Sequence, residues 1–245
     1  MGLIISARWL RPLSGYSIKR VTPSPNESPR SNPLVFDLDG TLIDSAPSIL
    51  ESFVYAFSAF GITPCKAITP DVVGPPLMPT LASLAETDNA DLLQNLAAKF
   101  KAHYDSEGYK KATVYEGIQA LIDQLKQTDL TLYIATNKRD FPTQKIMQYL
   151  DWAHYFKGIF ALDSYTPPKA SKPLMVAQIL SDYQIDLAQA IYIGDRYEDG
   201  LAADHNQIPF AMVTWGYADK TVTELQPHWL ICQHAKDLEQ LLITE

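Results

Sequence analysis

The sequence predicts an α/β fold in which a parallel sheet is flanked by helices and a helical cap is inserted after the first core strand. Three observations carry this expectation. Six short apolar runs recur along the chain, most of them are separated by stretches of helical spacing, and one interval, between residues 37 and 130, breaks that rhythm. Short apolar runs alternating with helical patterns are the signature of βα units and hence of a parallel sheet. A chain of 245 residues, 47% of them apolar, has the material for such a core.

The strands follow in order as PLVFD (33–37), LTLYIAT (130–136), GIFAL (158–162), AIYIG (190–194), IPFAMV (208–213) and WLIC (229–232). Between them, GIQALIDQLK (117–126), FPTQKIMQYL (141–150), KPLMVAQIL (172–180) and LAADHN (201–206) carry helical spacing. The long interval is too long for a structureless loop in a compact domain. Its best amphipathic segments, SILESFVYAF and ADLLQNLAAKFKAHY, predict a folded helical insert. The expected division is a core over 33–46 and 113–245 and a cap over 47–112. Residues 1–32 hold four Arg, one Lys and a single acid, with many Ser and four Pro, and are expected to be a disordered N-terminal extension. That composition also resembles a transit peptide, and an upstream start codon gives the same pattern.

Charge and cysteine usage exclude several classes. A formal net charge of -8 argues against a nucleic-acid binder, which ordinarily carries a basic face. No apolar run approaches the roughly 18 residues of a membrane span. Two cysteines, Cys65 and Cys232, form neither a disulfide framework nor a zinc pattern. The expected protein is cytoplasmic, a monomer or homodimer, with a small molecule as its partner.

The chemistry is expected where the strands end, since ligands of open α/β sheets bind beyond the carboxyl ends of the strands. Asp37 and Asp39 close the first apolar run, Thr136 and Asn137 the second, and Asp195 and Asp199 follow the fourth, while Lys172 opens a helix. Residues i and i+2 of an extended chain point to one side, so Asp37 and Asp39 can face one crevice, where their repulsion calls for a cation. With Asp195 as a third acid, the set suits a hard ion such as Mg²⁺. A carboxylate beside that ion can attack phosphorus, which casts Asp37 as nucleophile and Asp39 as acid and base. Thr136, Asn137 and Lys172 then supply donors to the phosphoryl oxygens. Taken singly, an Asp after a strand caps a helix, a Thr-Asn pair makes a turn, and a lysine is solvated. Of the five histidines, His103, His154 and His205 are read as structural or surface residues, and Asp44 is given no chemistry.

DLDGT (37–41), ATN (135–137), SKP (171–173) and GDRYED (194–199) together resemble the four motifs of the haloacid dehalogenase-like hydrolases. DSAPS (44–48), VGPPL (73–77), VYEGI (114–118) and VTWGY (213–217) are similar to the phosphoglycolate phosphatase-like branch. The resemblance implies a Rossmann-like core, a mobile helical cap, Mg²⁺ dependence and an aspartyl-phosphate intermediate. It implies Asp37 as nucleophile and metal ligand, Asp39 as acid/base and metal ligand through its backbone, Asp195 as metal ligand and Asp199 as an outer metal partner. Thr136, Asn137 and Lys172 map onto phosphate-binding positions, with Lys169 a competitor for the last. The implied reaction is hydrolysis of a small phosphomonoester, phosphoglycolate first, with a nucleoside monophosphate as rival and a sugar phosphomutase further off. A catalytically idle relative that binds a phosphorylated ligand is the reading outside enzyme chemistry. The acid at Asp39 argues against dehalogenation. The cap loop around Gly74 to Leu77 is the candidate for substrate choice, and Arg196 carries no assigned role.

Overall fold

The computed structural model describes residues 32–217 and 225–243. The N-terminal extension expected over 1–32 lies outside them apart from Asn32.

Each apolar run forms a strand: β1 (Pro33–Phe36), then β4 (Thr131–Thr136), β5 (Gly158–Ala161), β6 (Ile191–Gly194), β7 (Phe210–Val213) and β8 (Leu230–Cys232). They make one sheet in the order β5-β4-β1-β6-β7-β8, parallel throughout, with Leu34 opposite both Leu132 and Ile191. The first strand in sequence thus lies inside the sheet, between the second and fourth of the six.

Alternation of side chains along each strand divides the core in two. Leu34, Phe36, Leu132, Ile134, Ile191 and Ile193 point to one face. Val35, Tyr133, Ala135, Tyr192, Phe210 and Met212 point to the other. The first face is covered by α4 (Ile118–Leu125), α5 (Asp140–Tyr149) and α8 (Ala235–Leu242), the second by α6 (Lys172–Asp182) and α7 (Tyr197–His205). Coverage on both sides explains why the strands read as continuous apolar runs rather than alternating ones. Each fully buried Leu, Ile or Phe contributes about 1.5–3 kcal/mol of transfer free energy.

Between β1 and β4 a two-stranded antiparallel ribbon, β2 (Ile43–Asp44) and β3 (Thr113–Val114), pairs Ile43 with Val114. The chain leaves the core through one strand of this ribbon and returns through the other. Between them lie α1 (Ala46–Ser58), α2 (Leu77–Ala85) and α3 (Ala90–Tyr104). Leu93, Leu96, Ala97, Phe100 and Tyr104 put a 3.6-residue stripe on α3, which packs against Phe53, Ala56 and Phe57 of α1. Asn89 caps α3 by accepting the Leu92 N–H at 3.0 Å. These helices own an apolar cluster separate from the two faces of the sheet, and Tyr217 of the core reaches into it.

Some boundaries differ from the sequence pattern for local reasons. Helix α7 starts at Tyr197, four residues before the apolar spacing becomes visible, because Asp199 accepts the Arg196 N–H at 3.0 Å and acids suit a helix N-terminus. Helix α2 hides behind Pro76 and Pro79, both of which fall at or before its first turn, where proline is tolerated. Helix α8 is set by Asp237, whose carboxylate accepts the Gln233 and His234 N–H groups at 2.8 and 3.0 Å.

Candidate active site

The carboxyl ends of the adjacent strands β4, β1 and β6 converge at one point of the sheet edge. Thr136 ends β4, Asp37 follows β1, and Asp195 follows β6. The Asp37 N–H donates to the Ile193 carbonyl at 2.8 Å, which continues the sheet past the last strand residue and fixes the side chain over the crevice.

Asp37, Asp195 and Asp199 come together, with a carboxylate oxygen of each within 4.8 Å of the others. All three are buried. Lys172, also buried, donates from Nζ to Asp37 Oδ1 at 2.9 Å and to Asp199 Oδ1 at 2.5 Å. Among the described residues, these three carboxylates crowd around the Lys172 ammonium, so acidic groups outnumber the cation that they share. Burial, opposed by Lys172 and reinforced by Asp199 and Asp39, pushes the Asp37 carboxyl up to about 7. Burial and the neighbouring Asp199 and Asp37 raise Asp195 as well. For Lys172 burial pulls downward, but Asp199 and Asp37 outweigh it and hold the ammonium well above its ordinary value. Such a donor set of hard oxygens fits a small divalent cation.

The grouping corrects the expectation that Asp39 contributes its carboxylate beside Asp37. Strand β1 ends at Phe36, and the Leu38 carbonyl accepts N–H groups from Thr41, Leu42 and Ile43, so the chain has turned before Asp39 and the same-side rule of a strand no longer holds. Asp199 takes the third carboxylate position. Asp39 is held instead by Lys138 Nζ at 3.0 and 3.1 Å and by Ser45 Oγ at 2.5 Å. Gly40 makes this turn possible. Its φ is +85°, and it lies so close to the Asp195 carboxylate that any Cβ would collide.

Around the acids, Asp195 accepts the Tyr217 N–H at 2.6 Å and the Thr41 hydroxyl at 3.4 Å. The Thr136 hydroxyl accepts the Lys138 N–H at 3.2 Å, leaving its own proton free to donate. Asn137 is drawn to the same edge, and its Oδ1 is buried without a partner. Lys169 is directed elsewhere: its ammonium meets Gln178 Oε1 at 2.7 Å and the face of Tyr165 at 4.9 Å. His103 contacts Ser52 Oγ at 3.0 Å, away from the acids.

Three residues that the sequence reading left aside connect the site to the cap. Lys138 sits directly after the ATN stretch, pairs with Asp39, and lies 4.7 Å from the centre of the Tyr104 ring. Burial pulls its ammonium down while Asp39 and Tyr104 more than offset that, so it stays raised. Tyr217 closes the WGY stretch. Its hydroxyl accepts the Ser45 and Ala46 N–H groups at 2.7 and 2.9 Å and donates to Asp44 Oδ1 at 2.7 Å. Asp44 is therefore a structural clip at the entrance to the cap. Tyr217→Phe strips an acceptor from two buried N–H groups at the start of α1, and an unfolding titration is expected to show a loss of about 2 kcal/mol.

Arg196 gains a role by the same route. Its guanidinium donates to the Tyr217 carbonyl at 2.8 Å and to the Asp71 carbonyl of the cap at 3.4 Å, and its stem lies beside Gly74, whose φ is +108°. Arg196→Ala is expected to raise KM by roughly 3- to 10-fold with a smaller change in kcat, since about 1 kcal/mol of loop anchoring is lost while the acids keep their places. Steady-state kinetics check it; an unchanged KM contradicts it.

Comparison with known proteins follows this geometry. Residues 34–213 match the family model described as haloacid dehalogenase-like hydrolase. A phosphoglycolate phosphatase of Agrobacterium fabrum is 31% identical over 212 residues, covering 83% of this chain and 89% of that protein. The tyrosine-protein kinase PtkA of Mycobacterium tuberculosis is 29% identical over 215 residues, covering 85% and 72%. Among solved structures, a predicted phosphatase from Clostridium acetobutylicum superimposes with a TM-score of 0.77 at 28% identity, covering 86% of this chain and 97% of the other.

Proposed function

Because the chain belongs to the haloacid dehalogenase-like hydrolases and is a phosphoric monoester hydrolase, we propose that it cleaves a small phosphomonoester with Mg²⁺ through a phosphoryl group carried on Asp37. The observation that supports this reading is the meeting of Asp37, Asp195 and Asp199 with Lys172 at the carboxyl ends of β1 and β6. Asp37, Asp195, Asp199 and the backbone of Asp39 would hold the Mg²⁺. When bound, the ion offsets the excess negative charge and polarises the phosphoryl oxygens.

An Asp37 oxygen attacks phosphorus, the new O–P bond forms, and the bond to the leaving oxygen breaks. The proton of the Asp39 carboxyl passes to that leaving oxygen. In the second half, Asp39 as carboxylate takes a proton from water, the water oxygen attacks phosphorus, and inorganic phosphate leaves Asp37 free. Lys172 orients Asp37 and, with Thr136 and Asn137, donates to the phosphoryl oxygens as charge builds on them. The enzyme acts in the cytoplasm as a monomer or homodimer.

Hydrolysis of p-nitrophenyl phosphate tests the reading. Turnover is expected to need Mg²⁺ and to stop on chelation. Mg²⁺ is also expected to raise Tm in the wild type and much less in Asp195→Asn, because a ligand of the native state alone adds stability by mass action. Phosphoglycolate, the compound in the name of the Agrobacterium relative, is the reference substrate. Mg²⁺-independent turnover, or none, contradicts the proposal.

A further inference from the structure

A cavity of about 60 Å³ is lined by Asp39, Asn137, Lys138 and Arg139 of the core and by residues of the cap, and the acid/base role proposed for Asp39 makes it the place for the leaving group. At roughly 10–15 Å³ per water this holds about four to six waters, enough for a few heavy atoms. The cap wall is apolar: Ile49, Phe53, Val73, Leu77 and Phe100 face the space.

Both cations of the lining are already engaged. Lys138 Nζ is bound to both oxygens of Asp39 at 3.0 and 3.1 Å. Arg139 presents its two terminal nitrogens to the two oxygens of Asp105, one contact at 2.9 Å and the other between Nη2 and Oδ1. Asp105 closes α3, so the Arg139 pair also joins cap to core. Among the described residues, the polar atoms of the lining without a hydrogen-bond partner are neutral, the buried Tyr104 hydroxyl and the Asn137 side-chain carbonyl. A carboxylate placed in this cavity has to share a cation already neutralised by Asp39 or Asp105, and burying a charge without a counter-charge of its own is far more costly than burying a hydroxyl that finds Tyr104 or Asn137.

We propose that the cavity selects phosphomonoesters with a small, uncharged, partly apolar alcohol or phenol as leaving group, and rejects those bearing a carboxylate. The selection rests on the phosphatase reading and narrows it. It turns the reference substrate, phosphoglycolate, into a poor one. Arg139 and Asp105 set the rejection by neutralising each other.

The test is kcat/KM with Mg²⁺ for a matched pair, 2-hydroxyethyl phosphate and phosphoglycolate, which differ in a hydroxymethyl against a carboxylate, with phenyl phosphate as a third substrate. The expected result is at least a tenfold advantage of each uncharged substrate over phosphoglycolate. A second arm uses Asp105→Asn, which frees Arg139 and should move the ratio toward phosphoglycolate by about tenfold. Equal or better hydrolysis of phosphoglycolate by the wild type overturns the selection while the phosphatase reading stands. An unmoved ratio in a folded, active Asp105→Asn overturns the part given to the Arg139 pair. Absence of turnover on all three overturns the phosphatase reading and the selection together.

Discussion

Asp37→Asn is expected to lower kcat by about 10⁴-fold or more, since removal of a nucleophile leaves only binding and charge stabilisation to act. The amide has the shape of the carboxylate and keeps an oxygen to accept the Lys172 hydrogen bond. It cannot carry a phosphoryl group. The substitution also removes one of three carboxylates crowded around one ammonium, so the metal-free protein is expected to be no less stable than the wild type. Loss of turnover with Tm retained separates a missing nucleophile from a damaged fold. Turnover within tenfold of wild type contradicts the role of Asp37.

Lys172→Met is expected to cost about 3–5 kcal/mol of stability at neutral pH and to lower kcat/KM as well. Among the described residues the ammonium is the one cation hydrogen-bonded to both Asp37 and Asp199, and breaking a buried pair by removing one partner strands the other charges. Burial lowers the Lys172 pKa, yet Asp199 and Asp37 together raise it well above its ordinary 10.5. A group so raised contributes its stabilisation fully below the unfolded-state pKa and loses it only as pH climbs through the folded one. Wild type therefore keeps this contribution across the neutral range. In the variant the stranded acids can be neutralised by protons, so its deficit should shrink from pH 7.5 to pH 5.5. Denaturant unfolding at the two pH values checks this. A deficit that is equal at both, or absent, contradicts the electrostatic account.

The strands were legible because burial on both faces leaves little room for polar residues. LTLYIAT and AIYIG read as strands from side chains that now divide between the two faces, Ile134 and Ile193 on one and Tyr133 and Tyr192 on the other. The two-residue strands Ile43–Asp44 and Thr113–Val114 are too short to show a period, and α2 lay behind two prolines. Asp37 stood out in the sequence because two acids closing one apolar run, Asp37 and Asp39, have no cheap structural use, whereas Asp195 alone reads as a helix cap and gains weight only beside them. Although the resemblance already gave Asp39 a backbone role and Asp199 a place beside the metal, the place of the Asp39 carboxylate outside the cluster does not follow from residue spacing. It depends on the turn at Gly40 and on a lysine ninety-nine residues from Asp39. Tyr217 and Arg196 were hidden for a related reason: what they do is hold backbone groups of distant segments, and no side-chain pattern announces an exposed carbonyl or N–H.

The account stands most directly on a phosphoryl group carried by Asp37. Enzyme mixed with ³²P-labelled phenyl phosphate and Mg²⁺, quenched in acid within milliseconds and mapped by peptide, is predicted to hold label on the peptide containing Asp37, with none in Asp37→Asn. Rapid release of labelled phosphate with no label on the protein, or label on a different side chain, would contradict it.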